Sequence, residues 1–131
     1  MFENLDVFKI SSAMAKHAGQ KQAVAAENVA NSDTPEYKSR DLTPFAETYQ
    51  NSRTLGDIVG QRATRSKHLN GAIAGQQAEA IVDDTAIASP NGNTVSLEGE
   101  LLKSLDAKRQ HDRALAIYKS SLNVLRSSIS R

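Results

Sequence analysis

From Glu100 to Arg131 the chain runs through 32 residues without a glycine or a proline. Across that stretch Leu101, Leu105, Lys108, His111, Leu115, Tyr118, Leu122, Leu125 and Ile129 advance by threes and fours, the repeat of one helical face. A second stripe, Ala114, Ile117, Ser121 and Val124, sets in over the last turns. Ser96 is placed to cap such a helix, with Glu98 and Glu100 set against its positive end. A helix from Ser96 to Ser128 would measure about 50 Å at 1.5 Å per residue. A compact chain of this size has a radius of gyration near ~14 Å. The molecule must therefore be elongated. Two apolar stripes on one helix call for packing against more than one neighbour.

The N-terminal zone reads as a second long helix. From about Asn4 to Asn31, the positions Leu5, Phe8, Ser12, Ala15, Gly19, Gln22, Ala26 and Val29 follow the same repeat. They make a narrow face rich in small side chains, which invites close approach of another helix. Asn31 is expected to close it as a left-handed cap, and Pro35 forbids its continuation.

Three zones follow: 1–35, helical; 36–93, irregular; and 94–131, helical. The middle zone holds five of the seven glycines and two of the three prolines. In it, 45–50 predicts a helical turn or two. Ala80-Ile81-Val82 and Ala86-Ile87-Ala88 flank Asp83-Asp84 as the arms of a short β-hairpin. The fold class is thus mainly α: two long terminal helices joined by an irregular segment.

Composition limits how such a chain can be held together. Leu, Ile, Val and Phe make up 28 of 131 residues, against 18 alanines, and there is no tryptophan. A share near ~20% borders on compositions that stay disordered. Order is therefore expected to come in part from neighbouring molecules, with both ends of the free chain disordered. The net charge of +1 argues against an electrostatic nucleic-acid binder. The basic cluster Arg62, Arg65, Lys67 and His68 lacks interleaved aromatics and reads as a solvated loop. Residues 1–20 lack a basic start with an apolar run, so no cleavable secretory signal is expected. No run is long enough to span a bilayer, and no direct lipid binding is expected.

Catalytic chemistry finds no support. His17, His68 and His111 lie in separate zones without a second ligand at metal spacing. Asp83-Asp84 lacks the rest of a calcium loop and reads as a turn. There is no phosphate loop, nucleophile elbow or cysteine. The expectation is a protein that is not an enzyme and carries no cofactor or metal.

The most specific signal is Ala26-Glu27-Asn28-Val29-Ala30-Asn31-Ser32-Asp33-Thr34-Pro35-Glu36-Tyr37-Lys38. It resembles the N-terminal signature of flagellar basal-body rod and hook axial proteins, roughly N-x-A-N-x-x-T-P-G-Y-K. Asn28, Ala30, Asn31, Thr34, Pro35, Tyr37 and Lys38 match in register, and Glu36 stands where that family usually has glycine. Asn91-Gly92-Asn93-Thr94-Val95-Ser96-Leu97-Glu98-Gly99-Glu100 resembles the family's D-G-N-x-V-x-L-x-x-E lead into its terminal helix. Arg40-Asp41-Leu42, Thr64 and His68-Leu69 make the short proximal rod proteins the nearest likeness.

The resemblance implies a structural subunit of the flagellar basal-body rod, in the periplasm. It would be exported unfolded through the type III apparatus, its two terminal helices would pair as an antiparallel coiled coil, and it would polymerise through them. It would transmit torque and line the export channel. The implied partners are copies of itself, other flagellar rod proteins, the rod–MS-ring junction protein and the export gate. The assembly interface is then expected at Leu101, Leu105, Leu115, Ile117, Tyr118, Leu122, Val124, Leu125 and Ile129, with Phe8, Ala15 and Val29 opposite. Asn28 and Asn31 are expected to tie the helix end to the turn, with Tyr37 and Lys38 anchoring the chain that leaves it. Thr34-Pro35-Glu36-Tyr37 is expected to keep negative φ at Glu36, because a left-handed side-chain-bearing residue costs about 1–2 kcal/mol. The alternative is a cytoplasmic coiled-coil adaptor or export chaperone.

Overall fold

A computed structural model describes residues 2–51 and 79–129, with the backbone alone over 2–5. Two long helices dominate: α1, Phe2–Ala30, and α3, Leu97–Ile129. Between them lie β1, Arg40–Leu42, a short helix α2 whose described residues are 45–51, and β2, Ala80–Val82. The basic cluster Arg62, Arg65, Lys67 and His68, together with Thr64 and Leu69, lies outside the described residues.

α1 and α3 run antiparallel along each other. At one end the rings of Phe8 and Tyr118 meet edge to face with centroids 5.1 Å apart. At the other end Asn28 Nδ2 donates to Glu100 Oε2 at 3.0 Å. The two contacts lie 20 residues apart on α1 and 18 apart on α3. The pairing therefore extends over most of both helices.

The seam is not the one that apolar size suggests. Its buried residues are Ser11, Ala18, Ala25 and Asn28 on α1 and Glu100, Ala107 and Ala114 on α3. Each set repeats at the heptad spacing. The expected α1 face is rotated from it by one residue, about 100°. Ser12, Gly19, Gln22, Ala26 and Val29 are exposed, and the side chain of Leu5 lies outside the described residues. On α3, Leu101, Leu105, Leu115, Ile117, Val124 and Ile129 are exposed. Small seam residues let helix axes approach towards the short end of the usual 8–10 Å range. Leucines do not fit between backbones so close, and they are displaced to the flanks. Phe8, Ala15, Leu122 and Leu125 are half-buried at the seam's edge.

The flanks have a definite arrangement. Leu101, Leu115, Leu122 and Ile129 repeat every seven residues with Lys108 in the series, about 100° around the helix from Glu100, Ala107 and Ala114. Ile117 and Val124 lie about 60° to the other side. These residues thus border the seam on both sides, while exposed Leu102 and Leu105 lie further round the helix.

β1 and β2 pair antiparallel, with Arg40 opposite Val82, Asp41 opposite Ile81 and Leu42 opposite Ala80. This corrects the expected hairpin. Ala80–Val82 is a strand, but its partner is the segment after the signature and not Ala86-Ile87-Ala88. Asp83 turns the chain away instead: its carboxylate accepts from Thr85 N at 3.1 Å and Thr85 Oγ1 at 2.6 Å. Leu42 is buried beside α1. The Nε2–H of buried His17 donates to the Thr43 carbonyl at 2.9 Å, and its ring stands edge-on to Phe45. α2 is thereby fastened to α1.

Candidate functional site

The described residues concentrate their polar chemistry where α1 ends, α3 begins and the small sheet sits between them. Asn28 is fully buried on the last turn of α1. Its Nδ2 donates to the Arg40 carbonyl at 2.7 Å and to Glu100 Oε2 at 3.0 Å. Its Oδ1 accepts from Arg40 N at 3.1 Å and from Tyr37 Oη at 3.2 Å. An amide has two donors and two principal acceptor sites, so every one is used. Paired with Arg40 through both backbone groups, the side chain acts as one more residue of a β-ladder. It also fixes where β1 starts.

Asn93, equally enclosed, performs the matching task from the other motif. Its Nδ2 lies 2.9, 2.9 and 2.8 Å from the carbonyls of Asn31, Ser32 and Thr34, and its Oδ1 accepts from Val95 N at 2.7 Å. The last carbonyls of a helix have no intrahelical donor. Here local amides meet those of Glu27, Asn28 and Val29, and a residue some 60 positions away supplies a donor to the turn just beyond. The expected left-handed cap at Asn31 is absent, because among the described residues only Glu36 and Gly92 have positive φ. Asn31 instead turns its Nδ2 back to the Glu27 carbonyl at 2.8 Å, and its Oδ1 accepts from Thr34 Oγ1 at 3.3 Å. Ala30 and Pro35 are exposed. Lys38 Nζ donates to the Gly92 carbonyl at 3.2 Å.

The turn overturns the expectation for Glu36. Its φ is 60°, and Tyr37 N donates to the Thr34 carbonyl at 3.4 Å. The chain keeps the turn that glycine would adopt, with Pro35 at the second position and a left-handed residue at the third. Tertiary bonds decide this: Glu36 N donates to the Asn91 carbonyl at 3.1 Å and Thr94 N to the Tyr37 carbonyl at 3.1 Å. Glu36→Gly is therefore expected to stabilise the chain. Relief of about 1–2 kcal/mol of left-handed strain exceeds the roughly 0.4–1 kcal/mol of added unfolded-state freedom. Urea unfolding of both chains reads the shift, and a lower midpoint in the variant would contradict it.

Charge is arranged around Lys103, which the sequence reading missed. Its Nζ lies 3.1 Å from Glu100 Oε1, 3.2 Å from Asp41 Oδ2 and 3.7 Å from Asp83 Oδ2. One ammonium thus joins α3 to both strands. Burial alone would lower its pKa, but the hydrogen bonds to Glu100 and Asp41 outweigh that and hold it above the ordinary lysine value. The Asp83 pKa is lowered, first by the bonds from Thr85 and further by Lys103. Tyr37 is held above the ordinary phenol value by burial and by Glu27. Ser39 and Thr94 are also buried: Ser39 N donates to Thr94 Oγ1 at 2.8 Å. Of these residues Lys103, Asp83 and Ser39 fall outside the motifs, and nothing local marks them as joined. The signal that was present is the heptad Glu100, Ala107, Ala114, whose small members mark the seam.

The buried polar side chains of this site bond to the chain itself, while Leu101, Leu102, Leu105, Leu115, Ile117, Val124 and Ile129 of α3 are exposed. Among the described residues no helix is long and apolar enough to cross a membrane. The geometry defines a structural helical hairpin with a polar clasp at one end. No protein-family model matches the chain. Over 82% of its length it is 30% identical to the flagellar basal body rod protein FlgB of Escherichia coli, covering 84% of that protein. It is 26% identical over 97% of its length to that of Agrobacterium fabrum, covering 95%, and 28% identical over 78% to that of Cereibacter sphaeroides, covering 77%. The chain belongs to the FlgB family of flagellar basal body rod proteins and is a structural component of the rod.

Proposed function

We propose that the chain polymerises within the rod by burying the two apolar flanks of the α1–α3 pair against neighbouring subunits. The observation that carries this is the exclusion of Leu101, Leu105, Leu115 and Ile129 from the intramolecular seam, with Leu101 left 71% exposed. Apolar flanks on both sides of one helix suit a closed wall of helices, where each pair has a neighbour left and right. Burying a leucine side chain is worth roughly 1.5–3 kcal/mol, so a row of them supplies strong lateral cohesion. Such a wall carries torque through repeated helix–helix contacts and encloses the export channel. The contacting partners are copies of the chain, other rod proteins, the rod–MS-ring junction protein and the export gate. Phe8, Ala15, Ile117, Tyr118, Leu122, Val124 and Leu125 complete the same surface.

The test is a strain lacking the gene, complemented with a tagged chain. Purified basal bodies should contain the tag, and motility should return. Recovery of the tag from the cytoplasm alone, with motility unaffected by the deletion, would replace the rod subunit with a soluble adaptor.

A further inference from the structure

We infer that residues 89–96 form a latch for the signature turn: the end of α1 and residues 31–39 take up their structure only when this distant segment closes on them. Local bonds close only single turns here: Ser32 N donates to the Val29 carbonyl, Thr34 N to that of Asn31 and Tyr37 N to that of Thr34. There is no glycine between residues 20 and 55 to cap α1, and Asn31 does not adopt the left-handed conformation. The carbonyls of Asn31, Ser32 and Thr34, in the turn just beyond α1, find their side-chain donor in Asn93.

Beyond the helix end, the next four residues are bonded to 91–94 one after another. Glu36 N donates to the Asn91 carbonyl, and Thr94 N donates to the Tyr37 carbonyl. Lys38 Nζ donates to the Gly92 carbonyl, and Ser39 N donates to Thr94 Oγ1. The positive φ of Glu36 is held by the bonds to Asn91 and Thr94 on either side of it, and Gly92 packs against it: a Cβ at Gly92 would sit 3.4 Å from Glu36 Cα and Cγ. Gly92 itself has φ 80°. Residues 91–94 thus hold Glu36 in a conformation it does not favour alone, while glycine at 92 adopts its own positive φ at no steric cost.

The cooperativity follows from the separation. Lys38 to Gly92 spans 54 positions and Asn93 to Asn31 spans 62. Closing that loop costs entropy once, whichever bond forms first, and every later bond forms without repeating the cost. A single bond does not offset the closure, but the set does. The latch is therefore closed or open as a unit, and whatever keeps 89–96 apart from 31–39 leaves the α1 end unformed. None of these residues belongs to the apolar flanks, so the latch stands or falls independently of the proposed polymerisation.

Hydrogen exchange on the full-length chain tests it with Asn93→Ala. Amides of residues 28–39 should exchange about tenfold faster or more, although they lie some 60 positions from the substitution, while the middle of α1 around Ala18 changes less. An increase confined to residues 89–97 overturns the latch. Should Asn93→Ala fail to fold, Thr94→Val decides, since it removes the Ser39 bond while keeping shape and backbone. Faster exchange across 36–40 in that variant supports the latch, and a change limited to the substituted turn refutes it.

Discussion

Asn28→Asp is expected to destabilise the chain by about 3 kcal/mol or more at neutral pH, the scale of breaking a buried polar pair. The substitution changes one atom of a side chain that is 0% exposed. Where Nδ2 donates to Glu100 Oε2 at 3.0 Å and to the Arg40 carbonyl at 2.7 Å, a carboxylate oxygen would face two acceptors. Lys103 remains beside Glu100 but already serves three carboxylates. The new pair can relax only by holding a proton between them, which raises a folded-state pKa above its unfolded value. The folded state then binds more protons than the unfolded one, so the variant should regain stability as the pH falls towards 5. The parent chain has the opposite tendency from Asp83: its lowered pKa contributes stability above the unfolded carboxylate range, and this is lost as the pH falls through its folded pKa. Urea unfolding at pH 7 and pH 5 separates the two. A variant within about 0.5 kcal/mol of the parent at pH 7, typical of surface changes, would mean that Asn28 is not the hub it resembles.

The long helices were legible because nothing interrupts them: α3 falls within one residue of the bounds that spacing implies, and α1 ends where Pro35 requires. Their antiparallel pairing was legible from the two motifs, which place the signature and the lead-in at the same end. The seam was not. Picking a face by the size of its apolar residues assumes that a chain keeps its largest side chains for itself. Here Ala18, Ala25, Ala107 and Ala114 lie inside and the leucines outside, the reverse of that assumption.

The clasp was hidden for a different reason. Asp41, Asp83, Glu100 and Lys103 come from three elements, and only the strand pairing brings them together. Charges so far apart carry no local pattern. Glu36 shows the same limit in reverse. Its intrinsic preference was read correctly as negative φ, and the bonds from residues 91–94 override it.

Leu115→Asp is expected to abolish motility while leaving the chain folded. Leu115 is 40% exposed beside the seam, on the same flank as Leu101 and Ile129. In the separate chain the new carboxylate reaches water, and the cost should be about 1–2 kcal/mol, from the covered part of the leucine and the lower helix propensity of aspartate. In a wall of subunits the same position is covered. There the loss of a buried leucine, roughly 1.5–3 kcal/mol, is joined by the several kcal/mol needed to desolvate an unpaired charge, and both recur at every copy. Leu122 is a weaker choice for this test because it is half-buried in the chain itself, so its effects on folding and assembly would merge. Asn123→Asp is the control: exposed, nearly isosteric and turned about 160° away from the seam. Circular dichroism of both purified chains should match the parent. Swimming halos in soft agar and the content of purified basal bodies should be lost for Leu115→Asp alone. A normal halo from Leu115→Asp would move the lateral contact off this flank of α3.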